Sequence, residues 1–420
     1  MKKYFKSKLV RNIMQLTAGS VVAQFITLAV SPISTRIFSP DELGIYTLLL
    51  SVVTIFGPIL SARYDVMIVS ADDEKETHEL ILGSILIGSI SIVLITLGYS
   101  VYLMNNEELF NSIGWYAYIV VFILIITGMI NILTYYNNRF QQYKLISVAQ
   151  VIRVFAQNIS MIIFGILQFG SIGLLLSQLF GLLFGIFRQA KYLLENFNAL
   201  KSIKFKEVIS TLKKYKDQPF FSTPAHLINA SSYSILNFII EFLYGFEVLG
   251  FYSISFRLLG LPLNIISVNL SKIFFQEASE EQRNSGGYTK SFLKFFKILF
   301  FLAVPMVIGL MLFSPYLFEL FFGKGWNVSG RYVQILAPMY GVRFIVSALS
   351  PALIISRKQK MELFMQGAFI VSALLIFYSS TLLALKIELF LTGISIFYTM
   401  IYLGFLLVIY RLSRQNKVSI

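Results

Sequence analysis

Apolar residues fill this chain in long runs separated by short polar turns. Twelve runs reach the roughly 20 residues that a helix needs to cross the hydrocarbon core of a bilayer. They lie at about 15–37, 43–69, 79–103, 113–134, 146–168, 170–189, 219–243, 248–271, 292–322, 332–355, 361–384 and 388–411. The longest connections, 190–218 and 272–291, leave no room for a soluble domain. The pattern predicts an all-α integral membrane protein with about 12 transmembrane helices.

Polar positions inside the runs are ordered. Spacings of three and four place them on single helix faces. The first run carries Ser20, Gln24, Thr27, Ser31 and Ser34, and the second Thr47, Ser51, Thr54, Ser61 and Asp65. The seventh carries His226, Asn229, Asn237 and Glu241, and the eighth Ser253, Arg257, Asn264 and Ser267. Arg153 and Gln157 share a face in the fifth, as do Tyr340, Arg343 and Ser347 in the tenth. Faces of Ser and Thr alone read as helix packing, which small residues favour in membranes. Faces with arginine read as the wall of a water-lined cleft, since ionised groups at membrane depth are usually functional. Pro32, Pro58, Pro262, Pro305, Pro338 and Pro351 interrupt the runs as hinges or bends.

An offset of 206 residues relates the two halves. Glu42-Leu43-Gly44-Ile45-Tyr46 opens the second run, and Val248-Leu249-Gly250-Phe251-Tyr252 opens the eighth. Six helices per half leave both halves pointing the same way, related by a pseudo-twofold axis along the membrane normal, with substrate sites between the repeats. The expected organisation is a six-helix bundle over 1–190, a cytoplasmic linker over 191–218 and a second six-helix bundle over 219–420.

Composition sharpens this picture. Of 420 residues 56% are hydrophobic and 13% charged, and the mean hydropathy is +0.74. Of the 35 Lys and Arg, 27 fall on one side of the predicted topology and three (Lys324, Arg331 and Lys386) on the other. The positive-inside rule then puts both termini in the cytoplasm. Trp115 and Trp326 fall at the opposite interface. Loop charge of this kind accounts for the net +14 through insertion and anionic membrane lipids, so nucleic acid is not a partner. The N-terminal MKKYFKSKLVR reads as a retained tail. The absence of cysteine removes disulfides, thiolate metal sites and thiol nucleophiles. Of the two histidines, His78 falls in a loop and His226 in the seventh run.

The remaining five basic residues, Arg36, Arg63, Arg153, Arg257 and Arg343, lie within the apolar runs. Each costs about 2.5–3.5 kcal/mol at a helix centre on insertion scales. They outnumber the acids there, Asp65, Glu241 and, near a helix end, Glu319. A cationic interior suits an anionic cargo, because guanidinium binds phosphate bidentately and keeps its charge when desolvated. Arg257 and Arg343 sit deepest, Arg153 about two turns in, and Arg36 and Arg63 near enough to helix ends to snorkel.

Several segments resemble the Wzx-type oligosaccharide flippases. They are Thr35-Arg36-Ile37-Phe38-Ser39-Pro40-Asp41-Glu42-Leu43-Gly44, Arg63-Tyr64-Asp65, Tyr215-Lys216-Asp217-Gln218-Pro219 and Leu261-Pro262-Leu263 with Arg257 upstream. Gln218 departs from the phenylalanine usual in that family. The resemblance implies a MATE-like fold and a flippase in the bacterial inner membrane. Its cargo would be an undecaprenyl-pyrophosphate-linked oligosaccharide moving from the cytoplasmic to the outer leaflet. It also implies a polymerase and chain-length proteins of the same pathway as partners. On this reading Arg257, Arg343, Arg153, Arg63, Arg36, Asn264 and Gln24 bind substrate. Asp65, Glu241 and His226 are candidates for coupling to Na+ or H+, with no other cofactor, no metal site and no catalytic residue. A MATE-type small-molecule exporter and a membrane polymerase are the competing readings. The arginine excess argues against the first and the short outer connections against the second.

Overall fold

The computed structural model describes residues 8–195, 203–358 and 360–414, and the side chains of residues 8–17, 195 and 264 lie outside that description. Regular structure among the described residues is helical. The helices are α1 (Lys8–Ile37), α2 (Pro40–Phe56), α3 (Glu74–Asn105), α4 (Ile119–Arg139), α5 (Tyr143–Ile166) and α6 (Gly170–Glu195). They continue as α7 (Phe205–Lys214), α8 (223–244), α9 (246–262), α10 (Val268–Ser285) and α11 (Thr289–Phe322), then α12 (Asn327–Leu349), α13 (Lys360–Leu383) and α14 (Ile387–Ser413).

Among the described residues eleven segments are long and apolar enough to cross a membrane, and one of them, Gln218–Ser285, spans 68 residues. Gly245 breaks that segment with φ 81° and ψ 179°, a backbone state that needs glycine, so it supplies two crossings. About twelve transmembrane helices result, as the hydropathy pattern predicts.

The start of α2 shows why the Ser39-Pro40-Asp41-Glu42 sequence has its form. Ser39 caps the helix through its Oγ, which accepts from the Glu42 amide at 3.3 Å, while the Glu42 carboxylate accepts from the Ser39 amide at 2.8 Å. Pro40 takes the first helical position, where its missing N–H is not needed.

The second apolar run is not one helix to residue 69. Pro58 sits in a tight 3-10 turn (Gly57–Ile59) at the end of α2, and Ala62 and Arg63 turn left-handed at φ 45° and 65°. The chain resumes in two short turns, Tyr64–Met67 and Ile68–Ser70. Proline lacks the amide and clashes with the carbonyl four residues back, so the helix cannot continue there. In the second half, α9 ends at Pro262 in a wide π turn, Leu263–Ser267. The offset of 206 maps residues 57–59 onto 263–265 and Ser39 onto Gly245. Helix start and helix distortion therefore recur at matching positions of the two halves.

The chain divides into two compact units, Met1–Ser234 and Ile235–Ile420, with the division inside α8. In the first unit α5 and α6 meet along a glycine seam. A Cβ on Gly181 would come within 2.8 Å of the Arg153 carbonyl oxygen, and one on Gly173 within 2.9 Å of the Phe164 Cβ. Gly181 and Gly185 form the small-xxx-small spacing that lets membrane helices approach. Gly19 does the same for α1 against Ser147 of α5. In the second unit α12 is central, with Val333, Leu336, Ala337, Phe344 and Leu349 almost fully buried. Gly330 lets it approach the Pro315 backbone of α11, where a Cβ would stand 2.5 Å from the Pro315 Cα.

Within the 191–218 connection, α6 runs to Glu195 and α7 packs against α3. His78 lies in the first turns of α3 and is buried, not in a loop. Trp326 is only 4% exposed because its ring packs at 5.3 Å on Phe251, whereas Trp115 is exposed. Tertiary packing claims the one indole and leaves the other at a surface.

Gly330→Ala is expected to destabilise the protein by about 1–3 kcal/mol, since the obstructing atoms are backbone. Gly309→Ala, with open space around the new methyl, should be neutral. Thermal unfolding of the two variants in one detergent checks the contrast.

Candidate functional site

Most of the Ser and Thr faces are satisfied locally. Thr27, Ser31, Thr47, Ser51 and Thr54 donate to the carbonyl four residues back, and Ser34 to Ser31. Bonds of this kind spend the hydroxyl within the helix, so these faces match the packing reading.

The arginines behave differently. Arg153 is half-buried, its stem laid along Gly185 of α6, with no hydrogen bond or ion pair to another described residue. Arg257 is half-buried on α9 and likewise has no such partner among the described residues. Arg343 on α12 lies with its Cζ 5.2 Å from the Tyr340 ring centroid. Arg36 is exposed in the last turn of α1, and Gln24 is half-buried on the same helix.

Arg257 and Arg343 share one helix pair at different levels. Ser255 Oγ donates to the Ser329 carbonyl at 2.8 Å, Ser329 Oγ to the Phe251 carbonyl at 2.8 Å, and Ser267 Oγ to the Phe344 carbonyl at 2.9 Å. These bonds set α9 and its continuation parallel to α12, with 251 level with 329 and 267 level with 344. Arg343 therefore lies level with residue 266, about 13 Å beyond Arg257 at 1.5 Å per residue. Phe256 and Tyr340 meet edge to face at 6.2 Å between them. The difference is one of backbone level: the Tyr340 ring that Arg343 lies against reaches Phe256, the neighbour of Arg257 in sequence. Asn264 falls in the π turn Leu263–Ser267, with its side chain outside the described set. Glu241 is half-buried on α8.

In the first unit Arg63, Asp65 and His226 gather. Arg63 is not a helix residue able to reach out along a continuous span. Its left-handed backbone points the side chain back, and its NH1 donates to the Pro58 carbonyl at 3.4 Å, while its buried Nε finds no partner. A left-handed non-glycine residue costs on the order of 1–3 kcal/mol, and two stand in sequence here. Asp65 is 3% exposed, accepts from the Val66 amide at 3.1 Å and forms no ion pair with another described residue. His226 is exposed and within electrostatic reach of Arg63.

Sequence reasoning missed the groups that hold this turn. Arg139, counted above only as loop charge, donates to the Ala71 carbonyl at 2.7 Å and to the Asp73 carbonyl at 3.2 Å. It thereby gathers backbone acceptors that the broken helix leaves open. Helix α7 docks Val208, Thr211 and Leu212 inward, an i, i+3, i+4 stripe. Leu212 lies over Gly83, where a Cβ would come within 2.8 Å of it, and its carbonyl accepts from the Tyr64 hydroxyl at 3.1 Å. Charges fasten the edges: Lys75 to Glu207 at 2.7 Å, and Lys214 to Asp72 at 2.7 Å and to Glu76. Thr211 donates to the Glu79 carboxylate. The legible signal was the alternation of apolar and charged residues in FKEVISTLKK.

An apolar cavity of about 420 Å³ opens between α3, α4 and α6, lined by Ile81, Ile85, Met129, Leu133 and Leu194 among others. Its aliphatic walls offer no donor to an anion, and no candidate site residue lines it. Among the described residues no cluster of His, Asp and Glu is arranged to hold a metal ion.

Residues 33–331 match the family described as polysaccharide biosynthesis protein. The chain belongs to that family. The kinship with Wzx-type flippases read from the motifs agrees with it. A Klebsiella pneumoniae protein described as an uncharacterized membrane protein in cps region is 25% identical over 164 residues, 38% of this chain. The match spans about a third (33%) of that relative's length. Among solved structures, the lipid II flippase MurJ in an inward closed conformation is similar at a TM-score of 0.72 and 15% identity, covering 95% of this chain and 87% of that one. An inward-facing multidrug resistance MATE family transporter of the MOP superfamily gives 0.64 at 16% identity, covering 97% and 96%. A MOP superfamily transporter from Pyrococcus furiosus gives 0.61 at 15%, covering 96% and 94%. At such identities the likeness establishes the MATE-like fold.

Lys214 holds the Asp72 carboxyl below its ordinary range, Lys75 does the same to Glu207, and Asp72 and then Glu76 push Lys214 up. A depressed carboxylate stabilises the docked α7 above its unfolded pKa, about 4, and the effect is lost as pH falls through the lower folded value. A raised lysine stabilises below its unfolded pKa, about 10.4, and the effect is lost as pH rises through the higher folded one. Amide exchange over 205–214 is therefore expected to stay flat between about pH 5 and 10, once corrected for its intrinsic rate, and to quicken outside that window. Exposed pairs are screened by salt, so a modest rise in exchange at 1 M NaCl is expected too.

Proposed function

We propose that this protein is a flippase that moves an undecaprenyl-pyrophosphate-linked oligosaccharide from the cytoplasmic to the outer leaflet of the bacterial inner membrane by alternating access. The observation that carries the reading is the pair Arg153 and Arg257, one in each unit. Both are half-buried in membrane-crossing helices with no hydrogen bond or ion pair to another described residue. A charge kept at that depth without a partner is explained by a ligand that supplies the opposite charge. Pyrophosphate does so with the geometry that guanidinium matches. Membership of a polysaccharide biosynthesis family supports a glycan on that phosphate. Arg343, on the neighbouring α12, adds a further guanidinium to the same path, and Arg36, exposed at the end of α1, guards the outer exit.

A cationic drug would meet repulsion at the same residues, which weighs against a small-molecule exporter. Asp65, buried without an ion pair among the described residues, is the coupling carboxylate, Glu241 and His226 being the other candidates. Both termini lie in the cytoplasm on the lysine and arginine count.

Arg257→Ala or Arg343→Ala is expected to lower surface polysaccharide at least tenfold at unchanged membrane abundance, and Arg153→Ala several-fold. Lysine at each position restores part of the loss, since a point charge lacks the guanidinium fork. Arg36→Ala should be milder. Normal export by well-expressed Arg257→Ala and Arg343→Ala proteins would refute the cationic path. For orientation, cysteines introduced at Asn106 and Gly325 into this cysteine-free chain should label from outside the cell, and one at Lys204 should not.

A further inference from the structure

The left-handed turn at Ala62–Arg63 is held from one direction by a separate element. Tyr64, next in sequence to Arg63, is 6% exposed and spends its hydroxyl on the Leu212 carbonyl of α7. Tyr64, Val208 and Leu212 form one buried cluster, with Ala62 packed on it. Within the turn the Ala62 amide donates to the Ile59 carbonyl at 2.8 Å and the Tyr64 amide to the Ser61 carbonyl at 3.0 Å, and the buried side-chain contact comes from α7. Arg63 makes a single long bond at 3.4 Å and leaves its Nε without a partner.

What fixes α7 in turn is electrostatic registration. Val208 and Leu212 give an apolar stripe that tolerates sliding, whereas Lys75–Glu207 at one end and Lys214 with Asp72 and Glu76 at the other fix a single position along α3. The lysines are 60% and 48% exposed, so these pairs add little energy but specify place. Two ion pairs about seven residues apart on a ten-residue helix leave one register.

We propose that α7 is a charge-fastened clasp that positions the Ala62–Arg63–Tyr64 turn, and through it the Arg63 guanidinium. Lys75, Glu207, Lys214 and Tyr64 are positioning residues in this scheme and touch no cargo. The functional half rests on the reading of Arg63 as part of the cargo path. A helix in the connection between the two halves then governs the setting of a charge in the first half, which ties the state of the connection to the state of the site.

The absence of cysteine makes the test direct. The full chain carrying Ala62→Cys is labelled with a nitroxide and placed in nanodiscs of three parts phosphatidylethanolamine to one part phosphatidylglycerol. The label should be immobile in the parent and at least twofold more mobile in Lys75→Glu, which sets three acids (residues 75, 79 and 207) side by side. The exchange Lys75→Glu with Glu207→Lys should restore immobility. Tyr64→Phe, which removes only one hydroxyl and keeps the packed ring, should also free the label. A label equally immobile in Lys75→Glu and Tyr64→Phe overturns the clasp, and no cargo is needed to see it. In cells, Lys75→Glu and Tyr64→Phe should lower polysaccharide export several-fold at parental abundance, with the charge exchange recovering most of it. Full export by variants whose label is freed overturns the functional half. If the label responds as expected but the parent exports no polysaccharide, the proposed cargo is wrong while the clasp stands.

Discussion

Water is missing where most of this chain sits, and the rest follows from that. In hydrocarbon every backbone amide and carbonyl needs an internal partner, so the crossings are helices. Side-chain hydroxyls turn back onto their own helices, as Ser31 and Thr47 do. A charge has fewer exits. Arg36 reaches a surface from the last turn of α1, whereas Arg153 and Arg257 have neither that escape nor a partner among the described residues. The cost of leaving them so is the physical argument for a cargo that completes them.

Close approach of helices supplies the rigidity that such a site needs. The seam at Gly173, Gly181 and Gly185 brings α5 against α6 and pins the stem of Arg153. In the second unit the hydroxyls of Ser255, Ser329 and Ser267 cross between helices and fix α9 against α12 in one register. Two arginines that look equivalent on their own helices are thereby set at different backbone levels of the pair. Small residues and inter-helix hydroxyls thus decide where the large charged ones stand.

The two halves depart from regular helix at matching points, after Pro58 and at Pro262. Broken helices in corresponding positions of repeated halves are a recurring mark of transport sites. The halves resolve the break differently. The first swings through two left-handed residues and depends on Arg139 and α7 to hold the chain. The second absorbs it as a π turn within a nearly continuous rod.

Much of this was legible in the sequence because it is one-dimensional chemistry. Crossing number follows from apolar length, and the Ser39 cap follows from the order Ser-Pro-Asp-Glu. The five arginines stand out because they interrupt long apolar runs. What tertiary structure decided depends on residues far apart in the chain. Hydropathy separates the seventh and eighth runs where Gly245 turns the chain, but it cannot see that α2 stops at Pro58, since apolar residues resume directly after it. It cannot assign Trp326 to a core, because burial there is set by Phe251, 75 positions away. Lys75 and Glu207, 132 positions apart, read singly as solvated loop charges, and only the docking of α7 turns them into a pair. A side chain's type is local, but its partner is chosen by the fold.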